Sequence, residues 1–154
     1  MLYSSKKYQV ARRLGYRSGL EVKLSEYLDE LKIKYIYEGM KIEWEDLAYR
    51  QYTPDFVLPN GIIIETKGLF TVADRRKHIC IQQQHPKLDI RFVFTSSRRK
   101  LQKGSKTTYG MWCEKNNFKC HDRIIPEDWL KERKKKPHPE FIKFSGKKII
   151  RRYT

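Results

Sequence analysis

The sequence holds 154 residues, 39% hydrophobic and 34% charged, with 34 Lys and Arg against 18 Asp and Glu for a formal net charge of +16. That length suits one domain, and the excess of cations points to a polyanion as partner, because Lys and Arg displace the counterions condensed on nucleic acid. Against other classes, no apolar run approaches a membrane span, no signal peptide, lipid-anchor motif, Walker loop or dinucleotide fingerprint is visible, and Cys80, Cys113 and Cys120 lack zinc spacing, which suits a reducing cytoplasm.

Residues 1–17 carry Lys6, Lys7, Arg12, Arg13 and Arg17 with no acid, a charge of +5, and read as a basic arm for phosphates. From 18 to 31, Leu20, Leu24, Tyr27, Leu28 and Leu31 form one apolar stripe, which predicts a helix. Ser18 and Glu21 have the spacing of a capping box at its start. Residues 33–37 and 40–44 read as short strands around Gly39, and 45–51 as a polar connector. Tyr52 to Leu58 and Ile62 to Lys67 read as two strands joined at Pro59-Asn60-Gly61. A second capping box, Thr71 to Asp74, opens a helix over 71–84 that His85-Pro86 ends. A strand over 89–95 follows, then a basic loop over 96–106, a helix over 108–116 with Met111 and Trp112, and a short helix opened by Pro126 with Trp129. Both tryptophans read as core. Residues 131–154 hold ten basic and two acidic residues and read as a basic tail. The expected domain is therefore 18–130, a mixed α/β fold with a central sheet flanked by helices.

The informative stretch is Tyr52-Thr53-Pro54-Asp55, nine residues, then Glu65-Thr66-Lys67. Phosphodiester hydrolysis uses carboxylates to hold a divalent cation such as Mg²⁺, which activates water and neutralises charge on the transition state. Glu65 and Lys67 are two apart in a strand and share a face. A two-residue loop at Asn60-Gly61 would turn Asp55 to the opposite side. A three-residue loop, with Pro59 in a type I turn and Gly61 left-handed, pairs Leu58 with Ile62 and Asp55 with Glu65. The three side chains then converge, and burying them is costly unless a cation compensates. Two clusters are candidate DNA contacts: Arg75, Arg76 and Lys77, which oppose the dipole at a helix start, and the +5 loop of Arg98, Arg99, Lys100, Lys103 and Lys106.

Asp55, Glu65 and Lys67 match the P-D…(D/E)-x-K signature of the restriction-endonuclease-like superfamily. More closely, the chain resembles the bacteriophage endonuclease I family of four-way-junction-resolving nucleases. The similarity is carried by Arg17-Ser18-Gly19-Leu20-Glu21, Tyr52 to Leu69, Gln84-His85-Pro86, Leu88 to Arg91, Ser96-Ser97-Arg98, Lys103-Gly104-Ser105 and Tyr109-Gly110. The termini resemble the family only in being basic. The resemblance implies the restriction-endonuclease-like fold and adds Glu21 to the catalytic set. Asp55, Glu65, Glu21 and the Thr66 backbone carbonyl become metal ligands for Mg²⁺, for which Mn²⁺ can substitute. It further implies an intertwined, strand-exchanged homodimer that shares each site between chains, Glu21 from one and Asp55, Glu65 and Lys67 from the other. It also implies branched DNA and four-way (Holliday) junctions as substrate, no small-molecule cofactor and the cytoplasm of an infected host. Resolving a junction symmetrically needs two cuts, and a two-fold dimer supplies two sites.

Three readings stand at this point. The chain is a metal-dependent, structure-selective endonuclease, a non-catalytic basic DNA-binding protein of the same fold, or a sequence-specific restriction-like enzyme. The small size counts against the third, since it leaves no separate recognition domain.

Overall fold

The computed structural model describes residues 15–46, 48–135 and 142–143. Lys6, Lys7, Arg12 and Arg13 of the expected arm lie outside them. The fold is α/β, as expected. Its elements in chain order are α1 (Gly19–Glu30), β1 (Ile36–Tyr37), β2 (Met40–Glu45), β3 (Tyr49–Tyr52), β4 (Phe56–Val57), β5 (Ile62–Lys67), α2 (Val72–Gln84), β6 (Asp89–Phe94), α3 (Tyr109–Lys115), β7 (Lys119–Asp122), α4 (Glu127–Lys131) and β8 (Ile142–Lys143). The central sheet runs β1-β4-β5-β6-β7, with β5, β6 and β7 parallel and β4 and β1 antiparallel to their neighbours. A smaller antiparallel sheet runs β3-β2-β8. No helix among the described residues is long and apolar enough to cross a membrane.

Strand β5 is the middle of the central sheet, and its β-branched run Ile62-Ile63-Ile64 is buried on both faces. Ile62 and Ile64 meet Leu24 and Leu28 of α1, Phe56, Val93 and Trp129 of α4. Ile63 belongs to the opposite core with Ile81 of α2, Phe92, Phe94, and Tyr109 and Cys113 of α3. Trp129 is core, as read from the sequence, and Trp112 packs against the second core. The helix starts follow the predicted caps. Thr71 and Asp74 close a complete capping box, Ser18 accepts from the Glu21 N–H, and α2 ends at Gln84 with His85 as its cap.

The turn at Pro59-Asn60-Gly61 has the three-residue form. Phe56 opposes Ile64, Val57 opposes Ile63, and the Leu58 N–H donates to the Ile62 carbonyl at 2.9 Å. Gly61 takes φ +85°, open to glycine at no steric cost. Asn60 is buried, accepts from the Ile62 N–H at 3.2 Å, and donates to the Trp129 carbonyl at 2.7 Å.

Three features differ from the sequence reading. The single strand expected over 52–58 is split, because Pro54 cannot donate to a ladder and Thr53 precedes it. Tyr52 belongs instead to β3, which pairs with β2 in the smaller sheet and takes up residues 49–51 of the expected connector. Tyr49, Arg50 and Gln51 of β3 are all exposed, so no alternation marks the strand in the sequence. At the other edge, β7 reads Lys-Cys-His-Asp and lacks a fully buried residue, so it too carries no apolar signal. Residues 142–143 of the expected tail add β8 to β2.

The turn and α4 are held by Arg91, only 2% exposed on β6. Its guanidinium donates to both carboxylate oxygens of Asp89 at 2.8 Å, reaches Glu132 at 2.7 and 2.8 Å, and lies 5.1 Å from the Trp129 ring centre. Replacing one partner of a buried charge network leaves the others uncompensated. Arg91→Ala is therefore expected to lower stability by about 3 kcal/mol in urea denaturation. Arg91→Lys should recover only part, since an ammonium lacks the planar fork.

Candidate active site

The hairpin register fixes where the acids meet. Continuing it by one pair from Phe56–Ile64 sets Asp55 opposite Glu65 on the face that also carries Ile63 and Lys67. Asp55 is 3% exposed and Glu65 4%. Both line a cleft of about 510 Å³ together with Glu21, Lys67, Arg17 and Lys77. The four residues expected to form the centre thus line one cleft.

Each acid is held by specific donors. The Asp55 Oδ2 accepts from the Thr66 N–H at 2.8 Å and the Thr66 hydroxyl at 2.7 Å, and its Oδ1 lies 3.4 Å from the Arg17 guanidinium. Thr66 therefore meets Asp55 through its donors. The Glu65 Oε2 accepts from the Tyr52 hydroxyl at 2.6 Å, and its Oε1 lies 3.3 Å from the Lys67 ammonium. Lys67 also donates to Asp74 at 3.1 Å. The Glu21 Oε2 accepts from the Arg17 N–H at 2.9 Å and from the Tyr37 hydroxyl. This corrects the expectation that Glu21 closes a full capping box. Ser18 caps the helix, but the Glu21 carboxylate is drawn off to the preceding residue and to Tyr37, facing the cleft.

The charge states follow from burial and neighbours. Asp55 is pushed up to about 8, first by burial and then by the charges of Glu65 and Glu21, against the two bonds from Thr66. Burial opposes ionisation of Glu65 as well, but His78, Lys67 and Lys77 outweigh it and hold that carboxylate well below its ordinary range. Burial alone would lower Lys67, yet Glu65 and Asp74 raise it, so it stays an ammonium donor. The fully buried Tyr52 phenol is driven well above its ordinary value and stays protonated.

Several participants carried no signal in the sequence. Glu38 is buried at φ +45°, forms an ion pair with Arg17 Nε at 2.6 Å, and accepts from the Tyr37 hydroxyl at 3.3 Å. Tyr37, Tyr52 and His78 likewise reach the acids from elements whose periodicity reports only packing. Arg17, read as the end of an arm, sits over the cleft between Glu38 and Asp55. The other expected DNA contacts divide. Arg75 donates to the Phe70 carbonyl at 2.6 Å, Arg76 pairs with Asp46, and Lys77 lines the cleft 5.3 Å from the Tyr52 ring centre. Arg98, Arg99, Lys100, Lys103 and Lys106 are all exposed, and Arg99 reaches the Gly68 carbonyl at 3.2 Å, one residue beyond Lys67.

Among the described residues, no three His, Cys, Asp or Glu side chains stand close enough to enclose a metal ion as they are. The donor chemistry nonetheless suits a hard cation, being carboxylate oxygens. The elevation of Asp55 comes first from burial and then from the neighbouring charges of Glu65 and Glu21, a setting that a bound cation would offset.

The family profile described as phage endonuclease I matches residues 1–148. "Endonuclease I" of Escherichia phage T7 is 51% identical over 140 residues, covering 89% of this chain and 94% of that protein. "Endodeoxyribonuclease 1" of Enterobacteria phage T3 is 51% identical over 139 residues, covering 90% of each chain.

The Asp55 shift has a measurable consequence. Its pKa is 3.8 ordinarily and about 8 in the fold, so the folded state holds the proton more tightly. That contribution is full below about pH 4 and is lost as pH rises through 8. Asp55→Asn removes the penalty. In EDTA its melting temperature should exceed that of the wild type, by an increment that grows between pH 5 and pH 8 and then levels off. An increment independent of pH would contradict the shift.

Proposed function

The chain belongs to the phage endonuclease I family, and from that premise we propose that it is a Mg²⁺-dependent endonuclease that cuts branched DNA and resolves four-way junctions. That it is a DNA endonuclease rests on the family, whose T3 relative is named an endodeoxyribonuclease. The observation that carries the chemistry is the pairing of two buried carboxylates, Asp55 and Glu65, across one hairpin beside Glu21 and Lys67. A protein that only bound DNA would gain nothing from an Asp55 whose ionisation costs stability.

Asp55, Glu65, Glu21 and the Thr66 carbonyl would hold the divalent ion, and Mn²⁺ would serve in place of Mg²⁺. When bound, such an ion supplies an activated water and neutralises charge on the phosphoryl oxygens. The chain's own residues do the rest. Thr66 fixes one oxygen of Asp55, and Tyr52 fixes one oxygen of Glu65. The Lys67 ammonium, tethered between Glu65 and Asp74, orients the attacking water or a phosphoryl oxygen as a donor. Arg17, Lys77 and the exposed loop of Arg98, Arg99, Lys100, Lys103 and Lys106 supply sequence-blind phosphate contacts.

Preference for a junction fits a homodimer, since two cuts need two sites. The strand-exchanged form is compatible with this fold. Residues 15–46 bring Glu21 and β1, while the residues after 48 bring Asp55, Glu65 and Lys67. If the turn between β2 and β3 opens, the same contacts form between two chains instead of within one.

Two measurements test these statements. Asp55→Asn, Glu65→Gln and Lys67→Ala should each reduce cleavage of a four-way junction by a hundredfold or more while junction binding in EDTA persists. Full activity of any one would remove that residue from the centre. For exchange, mixed Glu21→Gln and Asp55→Asn subunits should regain cleavage at one site per heterodimer, where an unmutated Glu21 meets an unmutated Asp55 from the other chain. No recovery in verified heterodimers would mean that each chain completes its own site.

A further inference from the structure

His78 stands behind the cleft on α2, with none of its side chain exposed. Its ring packs edge-on against Tyr52 at 5.2 Å and Phe92 at 4.9 Å between centres. Neither ring nitrogen has a hydrogen-bond partner. A buried donor and acceptor left unmade cost stability, and natural cores contain few of them. Leucine or methionine would fill this apolar pocket without that cost, so packing does not account for the imidazole.

What the imidazole faces does account for it. His78 Nε2 lies 3.7 Å from Glu65 Oε1, just beyond hydrogen-bond distance. The other oxygen of the same carboxylate, Oε2, already accepts from the Tyr52 hydroxyl at 2.6 Å. Tyr52 and His78 thus reach the two oxygens of Glu65, with Lys67 3.3 Å from Oε1. An imidazole can present an N–H donor at Nε2, the nitrogen that faces Oε1.

We propose that His78 is a positioning residue that fixes Glu65 for the divalent cation, donating Nε2–H to Oε1 once a small shift of the carboxylate closes the present gap. The proposal rests on the metal-dependent reading above. A ligand carboxylate free to turn loses orientation on binding, and outer partners of metal ligands commonly change affinity by about 10–100-fold. His78 never touches the ion or the DNA. It acts through Glu65 alone.

The experiment measures Mn²⁺ binding to the DNA-free protein by isothermal titration calorimetry, together with the melting temperature in EDTA. His78→Leu is expected to melt at or above the wild-type temperature yet bind Mn²⁺ about tenfold or more weakly. His78→Gln, which restores an amide donor near Nε2, should recover most of the affinity. A purely structural histidine predicts the reverse, a lower melting temperature and unchanged Mn²⁺ affinity, and that result overturns the proposal. If His78→Leu does not fold, His78→Met takes its place, and failure of both to fold also overturns it, since His78 is then a packing residue. Glu65→Gln is the control for the reading beneath. If Glu65→Gln binds Mn²⁺ like the wild type, the metal assignment fails. If it loses binding while His78→Leu keeps it, only the role of His78 fails.

Discussion

One register decides whether this chain has a site. With three residues in the β4–β5 turn, Asp55 faces Glu65 and both look into the cleft. A slip of one residue would send Asp55 to the other face, among Leu24, Leu28 and Trp129. The register is held from that opposite face. Asn60 ties the turn to the Trp129 carbonyl, and Arg91 clamps Glu132 and covers the Trp129 ring. The support for the chemistry therefore runs from α4 through the sheet to the acids. Elements that never touch the cleft set its geometry.

The parts legible in the sequence are those with a periodic or stereochemical signature. The stripe of α1, the caps at Ser18 and Thr71, the left-handed Gly61 and the β-branched run of β5 each follow from one local rule. Asp55, Glu65 and Lys67 were readable because parity along a strand is rigid. The strands β3 and β7 were not, since edge strands with exposed or half-buried side chains lose the alternation that marks a buried face. Glu38, Tyr52 and His78 reach the site across tertiary contacts 13 to 21 positions apart in sequence, and no local spacing records that. Glu21 shows the remaining difficulty. Its position suits a helix cap, and only the contact with Tyr37 shows that the carboxylate turns elsewhere.

The cleft gathers features that a stability-driven sequence would avoid. Asp55 is an acid raised to about 8, Glu38 holds a left-handed backbone, and His78 has two unpartnered nitrogens. All three lie around the same two carboxylates. Positive φ also occurs away from the cleft, at Lys32, Asn117 and Arg123, but the raised acid and the unpartnered buried imidazole fall together at the cleft, where function rather than stability accounts for them. A bound cation would relieve the first directly, by offsetting the charge that Glu21, Asp55 and Glu65 share.

The same accounting explains why a chain with a net charge of +16 has an acidic centre. Residues 18–130 carry nineteen cations against sixteen acids, so the fold itself is near balance and the surplus sits at the two ends. Phosphate would be repelled by Glu21, Asp55 and Glu65 alone. It is drawn instead by charges placed beside them, with Lys77 on the cleft wall and Arg99 bonded to Gly68 just past Lys67. Attraction of the backbone and coordination at the acids are thus assigned to different residues only a few positions apart. Under the proposed reading the divalent cation is what joins them, since it is attractive to the carboxylates and to the phosphate at once. Under that reading the division would let affinity be high without metal, while cleavage would wait until metal and DNA are both present.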